Sequence, residues 1–421
     1  MDIDSVLPAR FAGWVTRRQG KKFLQLHDNP PYPEVPSDKA GRDDWASLYV
    51  HIPFCRTLCP FCCFNRYLLD ENKARRYFVD LKREIDMYVE RGFRFSDVYF
   101  GGGTPTVMMD ELESLLDFLK NRFKIKQISL ETTHREVNKE SLIALKRMGV
   151  NRLSIGVQSF DNELLRAMGR MVGSGEEAIE KLKMAQGMFD TVNADFIFNF
   201  PTQTIDQFEK DVAIFKSLGL DQATFYPLMP SPHKKTRLER RFSSVDTSRE
   251  KDFYNVILRE LYGGDYKAST AWCFSRGDRL IDEYIVDYDD YVGVGAGSVG
   301  FLNGDFFVNT FSLERYSELI SQGKLPLVNW RQLSEREHLR YYMLTKLFGM
   351  SLEPRKFRKR FSDDVKRKLY WELTFLRMFN LVDGRRTINV TRKGMYTMCV
   401  MQKEFFAALN TLRERFIENQ A

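Results

Sequence analysis

The sequence predicts an α/β protein built on a parallel sheet. From residue 47 onward short apolar runs alternate with amphipathic stretches, and repeated strand–helix units imply parallel strands joined by right-handed crossovers. The 421 residues exceed a typical single core, so one large α/β domain with a smaller one beside it is expected. Hydrophobic residues make up 43% and charged residues 29%, the composition of a soluble globular protein.

Residues 1–46 read as an extension. It starts with weak helical character and becomes turn-rich at Asn29, Pro30, Pro31, Pro33 and Pro36, where proline density forbids helix and central strand alike. It is too short for a cobalamin-binding domain. Residues 47–52 then read as a strand, and 71–91 as a helix with Tyr77, Leu81, Ile85 and Tyr88 at three-to-four spacing. The series continues with strand 97–100, helix 110–123, strand 127–131, helix 139–147 and strand 152–156. Helices near 162–168 and 175–188, strand 192–197, helix 205–218 and strand 222–226 complete it. Residues 47–332 are read as this core and its continuation. Within it the glycines of 288–304 lack the spacing of a dinucleotide loop; a tight turn between strands, or backbone approaching a substrate, both suit them. Residues 333–421 change character. Ser334 with Glu337 signals a helix start, 368–379 and 391–416 read as helices, and 382–390 around Gly384 reads as a hairpin.

Sixty-four Lys and Arg against 57 Asp and Glu give a formal charge of +7. This mild excess suits an acidic substrate or a peripheral contact with an anionic membrane. Basic runs at 234–241 and 355–360 contain interleaved apolar residues and read as solvated helix faces; no nucleic-acid module is visible. No apolar run approaches the ~18 residues of a membrane span. The opening Met1, Asp2, Ile3 and Asp4 carries no signal-peptide pattern. Six cysteines without regular pairing fit the reducing cytoplasm. A cytoplasmic monomer is expected.

Chemistry enters with Cys55, Cys59 and Cys62. Their C-x3-C-x2-C spacing can set three thiolates around one loop, enough to hold three irons of a four-iron cluster and leave the fourth open. Zinc is the competing reading, although structural zinc takes four ligands and no second cysteine pair follows. Three unrelated buried cysteines are the other alternative. Cys63, adjacent to Cys62, should point elsewhere.

The surroundings extend the pattern: Phe61 precedes the last cysteine, and Gly101, Gly102, Gly103, Thr104 and Pro105 follow an apolar run. Glu131, Gln158, Arg170 and Asp195 come later, at or near strand ends. In order and spacing these resemble the radical S-adenosylmethionine (SAM) superfamily, in its subgroup typified by oxygen-independent coproporphyrinogen III dehydrogenase (HemN-like). The resemblance implies a partial (β/α)6 barrel with a smaller, mainly helical C-terminal domain over the substrate cavity. It also implies a [4Fe–4S] cluster on Cys55, Cys59 and Cys62, and SAM, whose cleavage gives a 5′-deoxyadenosyl radical. Gly101, Gly102, Gly103 and Thr104 would then offer bare backbone to SAM, Glu131 its amino-acid contact, and Gln158 and Asp195 contacts to ribose hydroxyls. Arg170 would pair with the SAM carboxylate, and Tyr49 and Phe61 would be the aromatic contacts. No catalytic side chain is assigned. A flavodoxin- or ferredoxin-type electron donor is expected.

Phe64 stands where the type enzyme carries a fourth cysteine. The run from Cys62 to Tyr67 resembles instead the HemN-like methyltransferases and the anaerobic haem-opening enzymes. The expectation is therefore a class C methyltransferase, with two SAM molecules side by side and a flat acceptor such as menaquinone. Its support is compositional: 34 Phe, 18 Tyr and mild positive charge. The alternatives are a tetrapyrrole-acting enzyme, by decarboxylation of coproporphyrinogen III or opening of haem, and a non-catalytic haem chaperone.

Overall fold

Six parallel strands form the centre of the computed structural model, which describes residues 3–36, 39, 46–170, 172–242, 245–277, 286 and 288–419. They are β1 (Ala46–Ile52), β2 (Phe95–Gly102), β3 (Gln127–Thr133), β4 (Arg152–Gln158), β5 (Thr191–Phe198) and β6 (Gln222–Pro227). Each pairs in parallel with the next, in chain order. Strand β1 is buried along its whole length, as a strand covered on both faces must be.

The helices between them start where their caps place them. In α2 (Glu71–Glu90) Asp70 accepts from the Lys73 N–H. Reciprocal capping boxes open α4 (Lys139–Arg147) at Asn138, α6 (Gly175–Ala185) at Ser174 and α7 (Ile205–Leu218) at Thr204. α3 (Met109–Lys120) and α5 (Asn162–Met168) complete the set; α5 and α7 stop at Gly169 and Gly219, both left-handed. The stripe Tyr77, Leu81, Ile85 and Tyr88 of α2 is buried, as its spacing predicts.

The sheet runs on at both sides. Beyond β6 lie β8 (Cys273–Arg276) and then β7 (Tyr266–Ala268), antiparallel. Beyond β1 comes β9 (Tyr291–Val294), parallel to it, then β10 (Val299–Leu302), β11 (Asp305–Asn309) and β12 (Leu327–Gln332), antiparallel. His27–Asp28 adds the outermost strand. Among the described residues no pairing joins the two ends of this thirteen-stranded order, so the barrel is partial.

The glycine-rich run between β9 and β10 is a turn between strands, and its close approach is to protein. Gly295 and Gly297 have φ of +95° and +87°. A Cβ on Gly295 would lie 2.5 Å from the His51 carbonyl oxygen, and one on Gly297 2.6 Å from the Asn65 Cβ. The run lies against the cysteine loop and off the wall of the cavity described below.

After α8 (Pro232–Arg241), α9 (Glu250–Glu260) and α10 (Leu313–Ser321), the C-terminal region is mainly helical, with α11 (Glu335–Phe348), α12 (Pro354–Phe361), α13 (Val365–Lys368), α14 (Tyr370–Met378) and α15 (Arg392–Glu418) around a small sheet of Ser351–Leu352, Ile388–Val390 and Val382–Asp383. The N-terminal helix α1 (Ile3–Phe23) lies along α15. A Cβ on Gly13 would meet Val400 at 2.7 Å and one on Gly20 would meet Ala408 at 3.0 Å, so small residues let the two backbones come close. Arg17 pairs bidentately with Glu404 at 2.5 and 2.6 Å. No described helix is long and apolar enough to cross a membrane.

Behind β1, Glu84 of α2 is fully buried. Its carboxylate accepts from the Tyr316 hydroxyl at 2.5 Å, the Asn309 amide at 2.7 Å and the Gly295 N–H at 2.8 Å. Burial outweighs those donors and pushes the Glu84 carboxyl up from 4.5 to about 7. The fold therefore binds a proton that the unfolded chain has released between these values, and stability falls as pH rises through that window. Asp211, also pushed to about 7 by burial, acts in the same direction. Denaturant midpoints at about pH 5 and about pH 8 should fall between the two, and Glu84→Gln should shrink the fall by roughly 2–3 kcal/mol. Equal falls in both proteins would contradict this placement of Glu84.

A candidate radical site at the strand ends

The cysteine loop leaves β1 at Ile52 and returns at Tyr67–Leu68, which pairs with Phe54–Cys55. Its base is closed by His51. The His51 Nε2 lies 3.0 Å from the Asn65 carbonyl oxygen, which can only accept, so Nε2 carries the proton and Nδ1 receives the Tyr49 hydroxyl at 3.0 Å. Complete burial pushes this imidazole down to about 4, so it is neutral. The Asn65 amide donates to the Ala296 and Phe311 carbonyls at 3.1 and 2.8 Å. Arg66 donates to the Cys59 and Cys62 carbonyls at 2.9 and 3.1 Å. The loop backbone is thus held from its base and from inside.

Cys55 and Cys59 are buried and Cys62 half-buried, and all three line one cavity of about 320 Å3. The Thr104 hydroxyl donates to the Cys55 Sγ at 3.4 Å, and Arg170 Nη1 to the Cys59 Sγ at 3.7 Å. Burial pushes the Cys55 thiol up to about 11, against the Thr104 hydrogen bond, so this sulfur ionises when a metal replaces its proton. Burial opposes the charge on Arg66, yet the sulfurs of Cys62, Cys55, Cys59 and Cys63 raise it overall.

Tyr49, Phe61, Gly102, Gly103, Thr104, Glu131, Gln158, Arg170 and Asp195 line the same cavity. Gly101 is not on that wall: its Cβ position faces the Glu131 carboxylate at 3.0 Å, so it makes room for Glu131. Gly102 and Gly103 also serve the fold. Their Cβ positions lie 2.5 Å from the His51 ring and 2.6 Å from the Phe54 carbonyl oxygen, letting β2 close against the cysteine loop. Glu131 accepts from the Tyr99 hydroxyl at 2.7 Å and the Gly102 N–H at 3.3 Å. Asp195 accepts from Ser154 at 2.8 Å and Asn193 at 2.7 Å. Gln158 sits at an irregularity where β4 shifts register against β5, with φ of +74°. A non-glycine residue held there is one the surrounding structure over-determines. Arg170 also donates to the Gly156 carbonyl, and its Nε is buried without a hydrogen-bond partner among the described residues.

A buried polar cluster lies at the opposite ends of β4 and β6. Arg152, fully buried, donates to the Gln222 Oε1 at 2.8 and 2.9 Å, and Gln222 donates to Ser275 at 2.7 Å. The side wall is aromatic: Tyr226, Trp272 and, from α15, Phe406, with Asn410 and Arg413 beside it. Sequence reading missed Tyr99, Arg66, Trp272 and Arg413. Arg66 lies four residues past Cys62 and could have been flagged; Arg413 reaches the cavity only through the packing of α15.

The donor set fits an iron–sulfur cluster better than one ion. Three soft thiols share a cavity, with Arg66 and Arg170 beside them to balance thiolate charge. Among the described residues no three His, Cys, Asp or Glu converge closely enough for a single metal ion. Cys63 also lines the cavity, but its Sγ is engaged at 3.7 Å by each of the Phe61 and Met229 carbonyls.

Residues 49–215 match the family model described as the radical SAM superfamily. The chain is 27% identical to an oxygen-independent coproporphyrinogen III oxidase of Helicobacter pylori, over 88% of each. It is 26% identical to the heme chaperone HemW of Bacillus subtilis, over 77% of this chain and 88% of that one. With an anaerobilin synthase of Escherichia coli O157:H7 it shares 29%, over 69% and 68%. Among solved structures, the coproporphyrinogen III oxidase HemN from Escherichia coli has the same fold, with a TM-score of 0.74 over 91% of this chain and 95% of that one, at 23% identity.

If Cys55, Cys59 and Cys62 are the ligands, replacing any one with Ala should abolish the visible absorption of the anaerobically reconstituted protein. Cys63→Ala, Cys273→Ala and Cys399→Ala should leave it. Loss of the band in Cys63→Ala would show that the ligand set is wrong.

Proposed function

We propose that this protein, whose residues 49–215 form a radical SAM domain binding a [4Fe–4S] cluster and SAM, performs radical chemistry on a tetrapyrrole, and that the reaction is the anaerobic opening of a haem ring. When bound, the reduced cluster on Cys55, Cys59 and Cys62 supplies the electron that cleaves SAM to a 5′-deoxyadenosyl radical. The observation that carries the reading is the cavity itself. It sets three cysteines at one part of its wall and Phe64, Tyr226, Trp272 and Phe406 at others, with Arg413 among them.

The chain's own residues divide the work. Glu131, fixed by Tyr99 and the Gly102 N–H, offers a carboxylate to the SAM ammonium. Asp195, held by Ser154 and Asn193, suits ribose hydroxyls, as does Gln158. Arg170 serves the SAM carboxylate while its other edge steadies Cys59. The aromatic wall gives a flat apolar ring faces to stack on and keeps water from the reacting carbon. A second SAM, as the resemblance implies, and a flavodoxin- or ferredoxin-type donor belong to the same proposal.

Tetrapyrrole chemistry displaces menaquinone methylation as the preferred reading. The relatives named above are called a heme chaperone, a coproporphyrinogen oxidase and an anaerobilin synthase, and an arginine in an aromatic cavity suits an anionic ring better than a neutral quinone. Among the tetrapyrrole reactions Phe64 favours ring opening: it stands where the decarboxylating type enzyme carries a fourth cysteine.

Anaerobic incubation with dithionite, SAM and haem should release 5′-deoxyadenosine and convert haem to a linear tetrapyrrole detected by mass. Coproporphyrinogen III in place of haem should lose no carbon dioxide, and menaquinone should gain no methyl group. Haem bound without any 5′-deoxyadenosine would instead fit a chaperone.

A further inference from the structure

We propose that Arg413, carried into the cavity by the last helix and seated on the ring of Phe64, is the anchor for a carboxylate borne by the substrate ring. This rests on the tetrapyrrole reading and gives it a specific contact.

Five arginines line the cavity, and four are engaged by the walls of the cysteine loop and its neighbours. Arg56 pairs with Glu136 at 3.1 Å. Arg66 is held by the loop carbonyls, and Arg170 by Cys59 and Gly156. Arg135 reaches Thr57 at 3.5 Å. Arg413 comes instead from α15. Its Nη1 donates to the neutral Asn410 Oδ1 at 2.9 Å, its guanidinium lies 4.5 Å over the Phe64 ring, and no carboxylate among the described residues pairs with it. Asn410 is itself fixed by donating to the Met229 carbonyl at 2.9 Å. One helix turn is thus pinned to the loop after β6, and a cation is aimed by an amide and an aromatic face.

Phe406, Asn410 and Arg413 share a face of α15 at i, i+4 and i+7, a span of about 10 Å. That face grades from aromatic to cationic. At its apolar end Phe406 packs on Trp272, with ring centroids 5.4 Å apart. Trp272 is 1% exposed and its indole N–H has no acceptor among the described residues. A flat ring with an acidic side chain supplies what both ends lack: a surface for the aromatics and a carboxylate for a fork-shaped donor. The position that departs from the type enzyme, Phe64, is therefore the platform under this arginine.

The test uses full-length protein with reconstituted cluster and two probes, haem and haem dimethyl ester, titrated anaerobically by absorbance. Arg413→Met should weaken haem binding about tenfold or more and leave the ester unchanged. Arg413→Lys should recover part of the loss, and all three proteins should keep the same cluster absorption. Haem binding unaltered in Arg413→Met, or haem and ester weakened equally, would overturn the anchor while leaving the tetrapyrrole reading standing. A wild-type protein that binds neither probe would overturn both.

Discussion

The hydrogen bond from His51 to the Asn65 carbonyl is the constraint on which the site depends. Residues 51 and 65 bracket Cys55, Cys59 and Cys62, and joining them turns a fourteen-residue excursion into a closed loop of fixed size. A neutral imidazole suits this task, since a charge there would sit unpaired in a fully buried position. The bond is tied outward as well: Tyr77 donates to the His51 carbonyl at 2.7 Å, and the Asn65 amide reaches the turn after β9. The glycines of that turn give the loop a wall it can press against without clash. A thiolate tripod needs this, because ligands on a slack loop would lose ordering entropy each time a cluster bound.

Electrostatics then sorts the cavity into zones. Guanidinium groups of Arg66 and Arg170 stand next to the sulfurs, where negative charge gathers. Carboxylates of Glu131 and Asp195 stand at the strand ends, each oriented by two neighbours. The aromatic wall and Arg413 occupy the part nearest α15. Arg66 and Arg170 have their partners inside the structure, whereas Arg413 lines the cavity with no carboxylate paired to it among the described residues, which is the pattern of a binding site more than of a core.

The order of strands and helices was legible because parallel strands buried on both faces read as apolar runs, and because buried helix faces such as Tyr77, Leu81, Ile85 and Tyr88 recur at three-to-four spacing. That Cys55, Cys59 and Cys62 share one loop was legible from their spacing, and all three line one cavity. The role of Gly101 was not legible, since a sequence does not distinguish a glycine that approaches a cofactor from one that clears space for Glu131. The run at 288–304 stayed ambiguous for a similar reason: its partners, His51 and Asn65, lie more than two hundred residues away. Arg413 was invisible because its meaning comes from the docking of α15, a tertiary event with no local signature. The acceptor was not legible because aromatic content counts core and cavity alike, and most of the 34 phenylalanines pack inside.

The most direct measurement of the central claim is elemental analysis of protein purified and reconstituted without oxygen. Three thiolates on one closed loop beside two arginines should yield about four iron and four sulfide per chain, with zinc near zero. Stoichiometric zinc with negligible iron and sulfide would contradict the account at its root.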